Sequence, residues 1–258
     1  GVVAGTSAGA AIMSSTMFRD APDVLGALKG KLREGEEVGA GLGFFGTRLF
    51  VDQHFLKRGR IGRMLPLMQA RGYRLGLGIE ENSAAVLHGD TVEIIGRALV
   101  VDLADARSDA TLGAFNVAGA RLSLLDTGDS LRLPGGQVMP APAKLKGQVY
   151  DPAAPGYKPY YSEQPFHVDM LGDNVISTAM GLLIDASYAE VRGIAFHPRP
   201  PAGDPLGTLG FEFVLAKGPG SMGWTTDAGG GEDYTVRDLQ LQVRPIRMAQ
   251  PMYAPWAR

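Results

Sequence analysis

Apolar residues recur at Ile61, Met64, Leu65 and Met68. That spacing of three and four predicts a helix over residues 60–71 with one buried face, ended by Gly72. Ahead of it, residues 49–55 form an apolar run that passes into polar residues and predicts a strand. Behind it, residues 75–80 predict another. Residues 84–88 and 91–95 flank Gly89-Asp90, the signature of a tight hairpin. Residues 98–103 predict a further strand, and residues 121–133 two short ones around Thr127-Gly128-Asp129. At the start, residues 1–4 are apolar with two valines and read as the end of a buried strand. Small residues over 8–17 then read as a helix. Residues 19–37 are charged and broken by Pro22, which predicts an excursion over the surface. Residues 38–45 are apolar and glycine-rich.

From residue 134 the pattern changes. "LPGGQVMPAPAKLKG" reads as a linker. Beyond it, residues 169–186 contain one helix. Residues 211–216 and 236–245 read as strands flanking the glycine-rich "KGPGSMGWTTDAGGGEDY". The expected organisation is therefore two parts, 1–137 and 138–258, the second a separate α+β or β-rich appendage. Trp224 and Tyr234 in the glycine-rich stretch are either ligand contacts or aromatic anchors.

Composition narrows the chemistry. A chain of 258 residues buries a sizeable core. A net charge of −2 gives no basic field for nucleic acid or an anionic membrane. The absence of cysteine excludes disulfides, a thiolate nucleophile and cysteine-based metal sites. No apolar run reaches the roughly 18–20 residues that span a bilayer. Thirty-six glycines and seventeen prolines suit a loop-rich enzyme better than a helical bundle. The chain opens without Met and inside an apparent strand. The expectation is that a larger polypeptide was cut here, and that an N-terminal segment or second chain completes the sheet.

Gly5-Thr6-Ser7-Ala8-Gly9 is a G-x-S-x-G pattern between the expected strand and helix. Small neighbours allow a sharp turn that exposes the Ser7 hydroxyl at a helix N-terminus, with the Ala8 N–H available to an oxyanion. A second cluster lies at "VDQHFLKRGRIGRM", residues 51–64. Asp52, Gln53 and His54 end a strand, and Arg58, Arg60 and Arg63 open a helix. Cations are unfavourable at a helix N-terminus, so three arginines there point to anionic partners; the alternatives are a solvated basic face, or ties from the helix to the sheet through acids such as Asp52. Of the four histidines, only His54 stands at such a strand-to-helix edge. His88 borders the hairpin turn, and His167 and His197 lie in the tail.

Together these residues resemble the cyanophycinase branch of the serine peptidases that include dipeptidase E. The residues carrying the resemblance are Gly5-Thr6-Ser7-Ala8-Gly9-Ala10; Asp52-Gln53-His54-Phe55 with Arg58, Arg60, Gly62 and Arg63; and Gly76, Ile79, Glu81, Ser83 and Ala84. The likeness covers about the first 135 residues. It implies a three-layer α/β sandwich related to the class I glutamine amidotransferases, of which the first part of this chain is the C-terminal portion. It implies Ser7 as nucleophile and His54 as general base. It places Asp52, Gln53, Arg58, Arg60 and Arg63 in a substrate pocket. The implied substrate is cyanophycin, poly-aspartate with arginine on each side chain, and the product is the β-Asp-Arg dipeptide. The family places its triad acid some 15–20 residues after the serine, which selects Asp23, or Asp20; an ordinary surface turn around Ala21-Pro22-Asp23 is the alternative. Asp52 and Glu81 are candidate partners for substrate guanidinium groups, and Glu81 is equally readable as a structural carboxylate capping a turn. No metal or cofactor is expected. A homodimer is compatible. An appendage of this kind resembles the longer, secreted members, so a secreted or periplasmic location is expected, with a cytoplasmic one as the alternative. The competing functions are a dipeptidase for Asp-containing peptides and a non-catalytic polymer-binding relative.

Overall fold

Gly76 and Gly78 explain how the first helix layer closes on the sheet. A Cβ on Gly76 would stand 2.5 Å from the Met68 sulfur, and one on Gly78 would stand 2.1 Å from the Phe55 ring. Side-chain-free positions therefore let the predicted helix, α3 (Ile61–Arg71), and the loop before it lie directly on their strand. The computed structural model describes residues 1–19, 22–46, 48–227, 233–253 and 255–256.

In chain order, α1 (Ala8–Ala11), β1 (Thr16–Phe18), α2 (Val24–Leu28) and β2 (Val38–Ala40) precede β3 (Phe50–Asp52), α3 and β4 (Leu75–Ile79). The predicted hairpin is β5 (Ala84–His88) and β6 (Thr91–Ile95), followed by β7 (Ala98–Asp102) and β8 (Val117–Leu125). Then come β9 (Ser130–Arg132), β10 (Gln137–Met139), β11 (Gln148–Tyr150), β12 (Phe166–His167) and α4 (Val175–Ile184). The last strands are β13 (Glu190–Ala195), β14 (Leu209–Ala216), β15 (Met222–Thr226) and β16 (Asp233–Arg247). The protein is thus mixed α/β, rich in strand and poor in helix.

One large mixed sheet runs in the order β12-β13-β14-β16-β8-β7-β4-β3, with β15 and β11 branching from β16. β3 and β4 are parallel, joined by the α3 crossover; β4, β7, β8, β16, β14 and β13 follow antiparallel. A smaller sheet, β10-β9-β6-β5, covers part of it. β7 shows the layering. All five of its residues are buried. Leu99 and Val101 enter a core with α3 and α4, while Ala98 and Val100 enter a second core against the small sheet.

Several expectations change. Residues 1–6 form no strand, and Val2 is 96 % exposed, because no described strand lies beside them. The helix expected over 8–17 stops at Ala11, and the chain turns into β1; the Ser14 hydroxyl accepts the Val51 N–H at 2.7 Å and fixes that turn to β3. The expected linker is packed: Val138, Ala141 and Lys144 are buried. Lys144 donates to the fully buried Asp129, which also accepts from Ala141 N–H and the Thr235 hydroxyl. The boundary at 137/138 therefore falls inside one continuous structure. β16 lies between β8 and β14 in the middle of the large sheet, and the main core spans residues 18–243. The glycine-rich stretch contains β15, and its residues 228–232 lie outside the described residues. Trp224 is buried under the Arg237 guanidinium, and Tyr234 stacks on Tyr150, so both are anchors.

Candidate active site

Ser7 has φ 51° and ψ −117°, a backbone conformation that L-residues other than glycine rarely hold. Such a backbone costs on the order of 1–3 kcal/mol and persists only where its surroundings impose it. Here Gly9 N–H bonds Thr6 C=O and Ala10 N–H bonds Ser7 C=O, closing the turn. Gly5 is required because a Cβ there would stand 2.2 Å from the Gly9 carbonyl oxygen. The result is a sharp elbow with an exposed serine. Ala8 is the first residue of α1, where a helix leaves its N–H groups without intrahelical partners.

The parallel pairing of β3 and β4 sets the rest. Asp52 lies opposite Gly78, so the chain segments leaving both strands emerge at one sheet edge. Open α/β sheets place their sites there. Phe55 N–H bonds Ile79 C=O, and the Glu80 carboxylate accepts the N–H groups of Leu56 and Lys57. These bonds hold the loop after β3 against the end of β4. His54, also at positive φ, then stands between two groups: its Nε2 is 3.0 Å from Ser7 Oγ, and its Nδ1 is 2.8 Å from Glu81 Oε1. With Glu81 ionised and His54 neutral, Nδ1 donates to the carboxylate, which only accepts, and Nε2 accepts from the serine hydroxyl. Arg58 Nη2 lies 3.9 Å from the same Glu81 oxygen, with its side chain half exposed.

Other expected residues sit elsewhere. Asp23, expected as the triad acid, caps α2: it accepts Gly26 N–H at 2.7 Å and pairs with Lys31 at 3.1 Å. A short polar side chain before a helix satisfies its orphan donors, and Asp23 is used for that. Asp20 lies outside the described residues. Asp52, expected in the substrate pocket, is completely buried and receives Arg63 in a two-pronged bridge of 2.8 and 2.6 Å. Arg63 also lies over the Phe18 ring. Arg60 donates to Gln53 C=O at 2.6 Å and approaches Asp52 to 3.7 Å. Burial and then the neighbouring Arg63 charge lower its pKa to about 10. So two of the three arginines tie α3 to β3, and Arg58 alone of the three is substantially exposed beside His54. Gln53 Oε1 is buried with no hydrogen-bond partner among the described residues. His88 and His197 are exposed and apart from this cluster, and His167 faces Gly193.

Sequence reasoning missed a buttress from the second half of the chain. Lys57 pairs with Asp173 at 2.5 Å, Asn174 N–H bonds Leu56 C=O, and a Cβ on Gly59 would stand 2.0 Å from Leu171 C=O. No spacing rule links positions more than a hundred residues apart. Among the described residues no group of three His, Cys, Asp or Glu side chains comes together around a potential metal position. No described helix is long and apolar enough to cross a membrane.

About half of the chain is cyanophycinase-like in sequence. It is 34 % identical over 147 residues to the cyanophycinases of Trichormus variabilis and of a Nostoc species, covering 54 % of this chain and 48 % of each relative. It is 33 % identical over 148 residues to that of Synechococcus elongatus, covering 53 % of this chain and 44 % of the relative. The chain thus spans about half the length of the curated relatives it matches. No family model matches it.

Proposed function

We propose that this cyanophycinase-like chain carries the hydrolytic residues of a serine peptidase that degrades cyanophycin. The observation that carries the reading is the unbroken hydrogen-bonded series Ser7–His54–Glu81 on a strained elbow. In this reading Ser7 Oγ attacks the scissile carbonyl while His54 Nε2 takes its proton. Glu81 holds the imidazole in the required tautomer and stabilises it when charged. The Ala8 N–H faces the developing oxyanion. His54 then returns the proton to the leaving amine, and water repeats the sequence to free the enzyme. Glu81 takes the part expected of Asp23. Arg58, half exposed beside Glu81, binds an aspartyl carboxylate of the substrate. Gln53 Oε1, buried and without a hydrogen-bond partner among the described residues, would accept a substrate N–H that reaches it. The β-Asp-Arg product and the relation of residues 1–137 to the class I glutamine amidotransferases belong to the same proposal; the β3-α3-β4 crossover supports the latter.

A second reading is favoured by one observation. With Arg60 and Arg63 committed to Asp52, one exposed arginine remains, and a single clamp suits a short Asp-containing peptide as well as a polymer. Incubation with insoluble cyanophycin and, separately, with soluble Asp-containing dipeptides decides between them. Dipeptide release from the polymer, lost in Ser7→Ala, is expected. Cleavage of soluble peptides alone would replace the polymer with the shorter substrate. Covalent labelling of a serine other than Ser7 by a fluorophosphonate would end the serine assignment.

A further inference from the structure

Tyr160, Tyr161 and Phe166 expose their rings while their backbone is fixed. Tyr160 is 80 % exposed and Phe166 56 % exposed, and the Tyr160 and Tyr161 rings meet edge to face at 5.0 Å. The N–H groups of both tyrosines bond the carbonyl of Asp185. The buried Asp185 carboxylate also accepts Tyr160 N–H and, at 2.6 Å, the Tyr157 hydroxyl. Downstream, Gln164 Nε2 donates to Glu190 C=O, and β12 pairs with β13. The segment is thus a rigid ledge. Exposed aromatic rings on an ordered segment lose little entropy when a ligand stacks on them.

The segment around the ledge carries more acids than bases, and Arg192, in register with Phe166, is paired with Glu190 and Glu212. Residues 151–174 carry Asp151, Glu163, Asp169 and Asp173 against Lys158 alone. The Glu163 carboxylate is exposed and engaged by no described residue. Aromatic faces beside carboxylates are the chemistry that recognises guanidinium: the cation lies over a ring and its N–H groups reach an acid. The ledge leads to the catalytic loop. Phe166 is seven residues from Asp173, which pairs with Lys57, so the two are at most about 25 Å apart.

We infer that the Tyr160–Tyr161–Phe166 ledge is a second binding site, taking the guanidinium groups of an arginine-bearing polymer and holding it near Ser7. This rests on the proposed function for the identity of the polymer, and on the ledge's own chemistry for the guanidinium. The occupant is a repeated cation on a flexible chain, so several weak contacts act together.

The test uses the full chain with Ser7→Ala, so that bound polymer persists, and measures co-sedimentation with insoluble cyanophycin. Adding Tyr160→Ser, Tyr161→Ser and Phe166→Ser should weaken retention roughly ten- to a hundredfold, since each exposed cation–π contact is modest. Glu163→Gln should weaken it less. The same ledge substitutions with Ser7 intact should leave cleavage of a soluble Asp-Arg oligomer unchanged. Unaltered retention of the ledge variant, while the parent chain digests the polymer, overturns the ledge and leaves the function standing. If the parent neither binds nor digests cyanophycin, the proposed function fails. The ledge is then read on immobilised polyarginine, where equal retention of parent and variant overturns it and selective loss supports it. A dimer of the chain that the ledge variant dissolves would make this face an interface between copies and also overturn the site.

Discussion

Glu81→Gln keeps the shape of the side chain and removes its charge. If Glu81 orients His54, the amide lets Nδ1 lose its fixed donor role, and kcat should fall about 10²- to 10⁴-fold with the melting temperature nearly unchanged. Asp23→Asn should change neither kcat nor the melting temperature, because Asn caps a helix as well as Asp does. Rates on one substrate check both; a silent Glu81→Gln with an inactive Asp23→Asn would return the acid to position 23. The arginines separate by burial. Arg63→Met leaves Asp52 fully buried without its two-pronged partner, a change worth about 3–5 kcal/mol, and thermal unfolding should show a large loss. Arg58→Met should leave the melting temperature alone and raise KM. The sequence placed Ser7, His54 and the arginines in two short clusters, because a turn and a strand end are local features. It was silent on which arginine faces water. That depends on Asp52 at the end of β3, whose complete burial is a property of the assembled sheet.

At the scale of elements, the loop from His54 to Arg60 is held from two sides. Glu80 fastens it to β4, and the segment 171–174 presses on it from the second half of the chain. Asp173→Asn removes an exposed ion pair, which is worth little to stability. Its effect should appear instead as a modest fall in kcat, restored by Asp173→Glu if the pair positions the loop. Helix α3 and the β5–β6 hairpin were legible because their periodicity and turn residues are unambiguous. The packed stretch 137–146 was not: its glycines and prolines read as a linker, yet Asp129 gathers Ala141, Lys144 and Thr235 around one buried carboxylate. Asp102 plays a related part between β7, β8 and Arg74. Burial pushes its pKa up, but hydrogen bonds from Arg74 and Arg121 outweigh that and the net shift is downward. Its stabilisation is therefore present above the ordinary carboxylate pKa of about 4 and is lost as pH falls through the lowered value. Arg121→Met should shrink the drop in melting temperature between neutral and acidic pH; an unchanged acid limb would remove Asp102 from that account.

For the whole molecule, the decisive element is β16. It is the longest strand, and its apolar residues Val236, Leu239, Leu241 and Val243 are buried between the partners β8 and β14. The expectation of a separable appendage came from composition, and composition has no information on which strand will pair with which. Cutting the chain after residue 137 tests the difference. The fragment keeps α3 and β3–β9 but loses nearly all of β10, the neighbour of β8 and the α4 side of the core. Leu99, Val101, Leu122 and Leu124 would lose much of their cover. At about 1.5–3 kcal/mol for each large apolar side chain, their exposure alone approaches the 5–15 kcal/mol that holds a typical domain together. An unpaired β8 would add an open edge prone to aggregation. The expected result is a fragment that is insoluble, or that lacks near-ultraviolet dichroism and a cooperative unfolding transition. The reciprocal fragment, residues 138–258, should fail in the same way, because β16 would then lack β8. A soluble, cooperatively unfolding 1–137 fragment that still reacts with a fluorophosphonate at Ser7 would show instead that the site stands on the first half alone, and that the contacts of residues 171–174 with the loop after β3 are dispensable.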